Sequence, residues 1–420
     1  MRGKIRGAGV RLAVITVVMA LAAACGDDGG NASAQPTATS GGGSSPSSAQ
    51  PSTTVNATPV EMAVGVDLSG STASAGLSAK AGVEAAVYAL NKAGGINGRK
   101  INAKYYDLKS VGTEAAPVIR EAVTSKPDAV TGFFSSPSLT PSAQLVAQSG
   151  LPFVNAGVLV PPLDTAPQSF STTSGNRGTA RALVAALKQI LPNGDLKGKK
   201  FAFAGPAGSP AIDDRVKFLK EALQQQGAEL SQEIRDPGAV TAWSAQAANL
   251  VSSGVDGLLT VNSDPNIVVI GKALAVAGFQ KPFISDTGSN ADSVFKAVAS
   301  PNFYAVRDTV FITEDSPLFA ELKAAGGSDR DALGGSYFTR AYAAMFVTAK
   351  GLAACGIPCS ADNFGKTVRG LGDIAMPTGV SFGPFNFASI NIGPTTGQLY
   401  AWDDAKKTIV EKGAKFKIEQ

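Results

Sequence analysis

Short apolar runs alternate with amphipathic helix patterns along this chain, and this alternation restricts the fold more than any other feature. A first series runs from "EMAVGVD" to "LPFVNAG", and a second begins after "LPNGDLKGK" with "KFAFAG". The apolar runs have the length of buried strands, and each is followed by a helical spacing of apolar residues. We therefore predict an α/β fold with two doubly wound, Rossmann-like lobes in tandem. Residues 60–420 also exceed what one hydrophobic core usually holds.

Polar loops follow the predicted strands in both lobes. Serine, glycine, asparagine and aspartate dominate "VDLSGS", "FFSSPS", "NAGVLV", "AGPAGSP", "VNSDPN" and "SDTGSN". Ligands of doubly wound sheets bind beyond the carboxyl ends of the strands. If the two lobes face each other, these six loops line one cleft.

The N-terminal residues have the pattern of an export signal followed by a tether. A basic segment precedes an apolar run at residues 12–24, which is shorter than the ~20 residues of a membrane-spanning helix. The run ends in "LAAAC", which resembles a bacterial lipobox and implies removal of residues 1–24 and a lipid on Cys25. An ordinary signal peptide with a chance cysteine is the alternative. The composition of residues 25–59 predicts a disordered tether. A lipid on Cys25 would anchor the protein to the outer face of the cell membrane.

The net charge gives no indication of a nucleic-acid partner. Lysine and arginine total 37 against 33 acidic residues. Removing the signal with its basic residues Arg2, Lys4, Arg6 and Arg11 leaves 33 of each sign. We therefore expect neither a nucleic-acid partner nor an electrostatic membrane patch.

The absence of histidine limits the chemistry of the chain. It excludes Ser-His-Asp and Cys-His catalysis and every His-ligated metal site. No dinucleotide fingerprint follows a strand, because "GPAGSP" lacks the third glycine at the needed spacing. We therefore expect a protein that is not an enzyme and has no cofactor or metal.

Two cysteines remain in "LAACGIPCSADNF" if Cys25 carries a lipid. In an exported protein, Cys355 and Cys359 would most simply pair as a small loop-closing disulfide. A redox centre and half of a metal site are the alternatives.

The opening "AVGVDLSGSTASAG…GVEAAVYALNKAGGINGRKINAKYYD" resembles that of the type I periplasmic binding proteins of the branched-chain amino acid (Leu/Ile/Val-binding) group, and "FGPFNF" and "LYAWDD" extend the resemblance. The resemblance implies two lobes joined by three crossovers, with a ligand cleft between them. Residues 60–179 and 313–381 would form lobe I, and residues 180–312 and 382–420 lobe II. It further implies a monomer that captures a small solute and delivers it to the permease and ATPase subunits of an ABC importer.

The resemblance also implies a site for the ligand carboxylate. The serine that binds it in the family falls on Ser136, next to Ser135. Backbone N–H groups at the start of the following helix would attract an anion, and the hydroxyls can add hydrogen bonds. The alternative is that Ser138 or Thr140 only caps that helix.

Other family contacts fall on less favourable residues. Backbone and hydroxyl contacts fall on Gly157 and Leu159, and Leu159 lacks the hydroxyl. The glutamate that pairs with the ligand ammonium falls on Thr287, with Asp286 beside it as a substitute. Positions of the tyrosines that close the family pocket hold no aromatic ring: Ala75, Ser209 and Ser263. We expect a roomier or more polar pocket than one for a plain branched-chain amino acid.

Two other functions compete with solute transport. The protein could pass the state of its ligand to a membrane signalling partner, which the sequence does not separate from transport. A hydrolase would use Ser136 or Ser138, but it would need a lysine or carboxylate as its base, and no G-x-S-x-G elbow is present.

Overall fold

The computed structural model describes residues 58–286, 288, 292–312, 316–327 and 336–419. The predicted signal, Cys25, nearly all of the predicted tether and Thr287 lie outside these residues.

The first sheet is parallel throughout its described strands, in the order β2-β1-β3-β4-β5. The strands are β1 (Val60–Val66), β2 (Ile101–Asp107), β3 (Ala129–Thr131), β4 (Phe153–Asn155) and β5 (Ser169–Ser171). The strand order reverses between β1 and β3. Such a switch point opens a crevice at the carboxyl ends of the two strands.

Helices cover this sheet and connect its strands. They are α1 (Ala73–Lys92), α2 (Gly112–Thr124), α3 (Ser136–Leu139) and α4 (Ala143–Gln148), with a 3₁₀ turn at Thr140–Ser142. On α1, Val83 is fully buried, and Val87 and Leu90 pack at the edge of the same core, as their spacing predicts. The helix ends before Gly94 and Gly95, which have φ values of 107° and 77° that favour glycine.

The second sheet has the order β14-β13-β10-β9-β8-β6-β7 among the described residues. Its strands are β6 (Lys200–Pro206), β7 (Glu229–Asp236), β8 (Gly257–Thr260), β9 (Phe283–Ser285), β10 (Phe303–Arg307), β13 (Thr396–Asp403) and β14 (Thr408–Lys417). From β7 to β10 the pairs are parallel, while β13 runs antiparallel to both of its neighbours. A second switch point lies between β6 and β8.

The remaining helices divide between the two sheets. They are α5 (Gly175–Ile190), α6 (Pro210–Gln224), α7 (Ser244–Ser253), α8 (Asp264–Val276), α9 (Asp292–Val298), α10 (Pro317–Ala324), α11 (Ser336–Cys355) and α12 (Ala361–Gly370). Although α10 and α11 follow β10 in the chain, they pack on α1 and share the core of the first sheet. A disulfide joins Cys355 and Cys359 after α11, with Cα atoms 5.9 Å apart.

Three segments of the described chain cross between the two sheets. It leaves the first sheet after β5 and returns to it after β10. It crosses again before β13, where the Asn391 carbonyl accepts the N–H of Ser171 (2.7 Å). This arrangement confirms the predicted fold class of two doubly wound α/β lobes with several connections.

The late segments "GVSFGPFNF" and "QLYAWDDAKKTIVEK" predict C-terminal strands, the second as a hairpin around Asp403–Asp404, and the structure matches this in part. The hairpin around Asp403–Asp404 is present as β13 and β14. The segment "GVSFGPFNF", however, contributes only β12 (Phe385–Asn386), which pairs with β11 (Asp373–Ile374). Pro384 directly precedes β12 and has no N–H to donate to a ladder, which explains why the strand is so short.

Candidate functional site

A cavity of about 990 Å³ lies at the carboxyl ends of the strands of both sheets. Each of the six polar loops identified in the sequence contributes to its lining. The contributing residues include Ser71, Ser135, Gly157, Ser209, Ser263 and Asp286. The volume lies at the upper end of the range for small-molecule sites, so this cavity is the candidate ligand site.

Most of the residues singled out in the sequence meet in this cavity. Ser136 and Ala75 line it together with the residues just named. Leu159 does not; it packs against the apolar cluster around Phe153 and Leu163. Leu159 therefore lies at the edge of that cluster, outside the cavity wall.

The helix that begins after Ser135 is shorter than the sequence predicts. The segment from Ser136 to Gln148 is divided into α3, the 3₁₀ turn and α4, so the helix beginning here is a single turn. Its cap is Ser135, whose Oγ accepts the N–H of Ser138 at 3.5 Å. The predicted caps Ser138 and Thr140 do not hold that position. One turn supplies few aligned peptide dipoles, so its attraction for an anion is weaker than that of a long helix.

Asp67 lies behind this hydroxyl-rich wall and is fully buried. It follows β1 at the first switch point. Its carboxylate accepts the hydroxyl of Thr72 and that of Ser138, the latter at 3.1 Å. Burial raises its pKa, against the opposing effect of these hydrogen bonds. Because Thr72 also lines the cavity, Asp67 orients part of the wall that a ligand meets.

Asp286, which follows β9, is paired with an arginine from α6. Arg215, on α6, donates from Nη1 to Asp286 Oδ2 (2.5 Å) and from Nη2 to Asn176 Oδ1 (3.1 Å). Both members of the pair are buried. Burial raises the pKa of Asp286, while the positive charge of Arg215 acts to lower it. A carboxylate with this partner is not an open counterion for a ligand ammonium.

A second buried ion pair lies where the chain crosses between the lobes. Arg340, on α11, donates from Nε and Nη2 to Asp308 at 2.7–3.1 Å. Asp308 follows β10 and also accepts the N–H of Ser174, which follows β5 (2.8 Å). Arg340 lines the cavity, so this pair links the site to two crossovers. Burial lowers the pKa of the neighbouring Arg307 to about 10.

Sequence reasoning missed both arginines. Arg215 lies 71 positions from Asp286 and Arg340 lies 32 from Asp308, so no local motif connects the partners. The available signal was an arginine within the otherwise apolar helix pattern "YFTRAYAAMF", since a buried arginine needs a partner.

Aromatic rings line the cavity at positions other than those of the family. Phe134 and Tyr337 pack with ring centroids 4.8 Å apart, and Phe319 lies in the same wall. The helical pattern of "GGSYFTRAY" predicts that Tyr337 and Phe338 pack within the fold. Phe338 is buried in the core, whereas Tyr337 contributes to the cavity. The rings of the first lobe thus give the cavity an apolar surface.

No helix within the described ranges is long and apolar enough to cross a membrane. Over the same part of the chain, no group of three or more cysteine, aspartate or glutamate side chains is arranged to hold a metal ion.

Comparison with known proteins identifies the family. The model of a family described as "periplasmic binding protein" matches residues 59–399. Leu/Ile/Val-binding protein homolog 2 of Brucella abortus is 26% identical over 232 residues, which are 54% of this chain and 61% of that protein. The match thus covers less than two thirds of that relative's length.

Solved structures share the fold at low sequence identity. An ABC transporter solute-binding protein from R. palustris in complex with 4-hydroxybenzoate has a TM-score of 0.71 and 18% identity, covering 87% of this chain and 98% of that one. The branched-chain amino acid transporter substrate-binding protein LivJ of Streptococcus pneumoniae, in complex with isoleucine, has a TM-score of 0.68 and 17% identity, covering 84% and 99%. With its two doubly wound lobes and a family match over most of its length, the chain belongs to the type I periplasmic binding proteins.

Proposed function

We propose that this protein is an extracytoplasmic solute-binding lipoprotein of an ABC importer. It captures a small, carboxylate-bearing, amino-acid-like solute by closure of the two lobes and delivers it to a membrane permease. The observation that supports this most is the cavity of about 990 Å³ at the facing switch points of the two sheets. Polar groups from both lobes line it, so a bound solute contacts both lobes and stabilises their closed arrangement.

The chemistry of the cavity supports a ligand with a polar or charged end. Ser135 and Ser136 offer hydroxyl groups from the first lobe, and Ser209 and Ser263 offer them from the second. The two solved structures described above hold 4-hydroxybenzoate and isoleucine, and each of these molecules has a carboxylate. A carboxylate accepts hydrogen bonds, and the cavity wall offers several donors.

The proposed assembly follows from the family and the N-terminal sequence. Lobe I comprises residues 60–179 and 313–381, and lobe II residues 180–312 and 382–420. A lipid on Cys25 holds the monomer at the outer face of the membrane, and residues 25–59 let it reach the permease and its ATPase subunits.

The structural setting of the serines disfavours a hydrolase. Ser138 contacts the Asp67 carboxylate, but it is fully buried and does not line the cavity. Ser136 lines the cavity, yet no hydrogen bond among the described residues joins its hydroxyl to a carboxylate or lysine. The serine with a carboxylate partner is thus buried, and the serine that lines the cavity has no such partner in the described part of the chain. Neither combines an accessible hydroxyl with a base.

A ligand-sensing receptor lobe is the second candidate, because the same cleft would serve it. A permease or ATPase gene beside the gene for this protein supports transport. A histidine kinase or cyclase gene in that place supports sensing.

A thermal-shift screen tests the proposal. We expect one class among amino acids, amides, short organic acids and aromatic acids to raise the Tm of the purified protein. Binding stabilises the folded state by roughly 2.7 kcal/mol at a hundredfold excess of ligand over Kd. Isothermal titration should then give one site per chain and no product on prolonged incubation. A protein that none of these solutes stabilises, or that consumes one of them, contradicts the proposal.

A further inference from the structure

Two buried arginines from opposite lobes reach the same cavity. Arg215 comes from α6 beside the second sheet, and Arg340 from α11 beside the first sheet. They are 7% and 3% exposed, and both line the cavity. A buried guanidinium carries a large desolvation cost, so two of them in one cleft need compensating partners.

Neither guanidinium uses all of its five N–H donors in its ion pair. Arg215 donates one N–H of Nη1 to Asp286 and one N–H of Nη2 to Asn176, and each of these nitrogens has a second N–H; its Nε is buried and has no hydrogen-bond partner among the described residues. Arg340 contacts Asp308 through Nε and Nη2, so Nη1 is outside that pair. Each arginine therefore retains donors for an anion beyond its aspartate.

The acidic residues that line the cavity already have cationic neighbours. Asp286 is paired with Arg215, and Asp292 with Lys296. Asp264 acts on the buried Arg307, whose pKa its charge raises. In the described part of the cavity wall, an ammonium group would therefore compete with an internal cation for every carboxylate, whereas an anion has unused donors to bind.

The rest of the wall fits an apolar body. Phe134 and Tyr337 pack together on one side. Val158, Val261 and Val268 approach from the loops and from α8. Burial of an aromatic or branched aliphatic group here is favourable because it removes apolar surface from water.

We propose that Arg215 and Arg340 together hold the acidic group of the ligand between the lobes, and that the ligand is an organic acid with an apolar or aromatic body and no ammonium group. The inference rests on the proposed solute-binding function. Ser136 then contacts another polar group of the ligand or none. An anion shared by the two arginines joins α6 to α11, and Arg340 carries that contact to the crossovers through Asp308.

Matched probes test the ligand class. Leucine is compared with isocaproate, which lacks its ammonium group, and phenylalanine with phenylpropanoate. Phenylpropanamide removes the charge from the same body. We expect isothermal titration to give tighter binding for each acid than for its amino acid and for the amide, by at least about tenfold, since a charge-assisted hydrogen bond is roughly twice as strong as a neutral one.

Variants test the residues. The double substitution Arg215→Gln with Asp286→Asn removes both charges of the pair and so leaves no unpaired buried charge. We expect it to weaken phenylpropanoate binding on the order of thirtyfold while changing phenylpropanamide binding less than threefold. The matched control is Lys199→Gln with Asp256→Asn, an ion pair (3.0 Å) at the amino ends of the strands of the same sheet, which should leave both affinities unchanged. Ser136→Ala should leave the ratio of acid to amide affinity unchanged.

Three outcomes overturn the inference without affecting the proposed function. The first is tighter binding of leucine or phenylalanine than of its deaminated analogue. The second is an acid-to-amide ratio that the double substitution preserves and Ser136→Ala abolishes. The third is that none of these five probes binds while another solute of the thermal-shift screen does. If no solute in that screen binds, the proposed function itself is wrong.

Discussion

Asp67 shows how one buried carboxyl group organises a ligand-facing surface. It lies at the end of β1 and accepts hydrogen bonds from Thr72 and Ser138. The Thr72 hydroxyl has a single O–H, so it can donate to a carboxylate of the ligand only by giving up its hydrogen bond to Asp67. The charge state of Asp67 therefore sets which protons the hydroxyl wall can offer to a solute.

The pH dependence of stability should report the carboxyl group of Asp67. Burial raises its folded pKa above the ordinary value of 3.8. Its contribution to stability is therefore complete below about pH 3.8 and is lost as the pH rises through the raised value. We expect Asp67→Asn to gain stability relative to the unchanged protein as the pH increases from about 4 to 7, in addition to a constant offset from altered hydrogen bonds. Urea-unfolding free energies across that range measure this.

Asp256→Asn provides a control of opposite sign. Burial acts to raise the pKa of Asp256, but the N–H of Lys200 and the ammonium of Lys199 outweigh it, and the pKa is lowered. The advantage of the unchanged protein over Asp256→Asn should thus be present above the ordinary pKa and disappear as the pH falls through the lowered value. Parallel pH profiles for the two variants would contradict our account of Asp67.

At the scale of elements, the contact between α1 and α11 is unusually close. A Cβ added at Gly82 would lie 2.1 Å from the carbonyl oxygen of Phe338, a backbone atom that has no side-chain freedom with which to move. The two helices therefore approach backbone to backbone. This contact fixes α11, and with it Arg340 and Tyr337, against the first lobe.

Gly82→Ala should separate these helices. Alanine favours an isolated helix by about 1 kcal/mol over glycine, but the forced shift costs about 1–3 kcal/mol, and the short approach to a backbone atom favours the upper end. We expect a net loss of stability in urea unfolding. Gly370→Ala is the control, because nothing lies within 4 Å of its added Cβ at the end of α12. Equal effects of the two substitutions would mean that α1 and α11 can move apart at little cost.

Which elements the sequence reveals depends on their local pattern. Strands β1, β2, β6 and β8 have long or alternating apolar runs, and these runs predict all four strands. The sequence does not reveal β5 or β10. Strand β5 has the sequence "SFS", with only one apolar residue. Strand β10 ("FYAVR") follows "SPN", and no helix pattern separates it from the next element. Both are identified only by their pairing with β4 and with β9 and β13.

The position of the cavity could be predicted from the sequence, but its two buried ion pairs could not. Strand ends locate the loops, so the cavity wall follows from the order of strands and the switch-point rule. The two ion pairs depend on how α6 and α11 turn relative to distant strands, which no local spacing encodes.

At the scale of the whole molecule, the proposed anchor can be tested apart from the fold. We expect Cys25→Ser to move the protein from the membrane fraction to the soluble extracytoplasmic fraction, because a chain without the lipid has no anchor at that point. Detergent phase partitioning followed by immunoblotting measures this. The double substitution Cys355→Ala with Cys359→Ala is the control and should stay with the membrane. A Cys25→Ser protein that remains in the detergent phase would show that the anchor lies elsewhere.

The outer strand of the second sheet, β14, affects how copies of the protein can pair with one another. One edge of β14 pairs with β13, and the other carries no strand partner within the described sheet. Exposed sheet edges invite pairing between copies, and lysine on such an edge opposes it. The strand is largely exposed and includes Lys412, Lys415 and Lys417. If copies are held at one membrane surface by the proposed lipid on Cys25, they meet at high local concentration, and this charged edge opposes their joining into a continuous sheet.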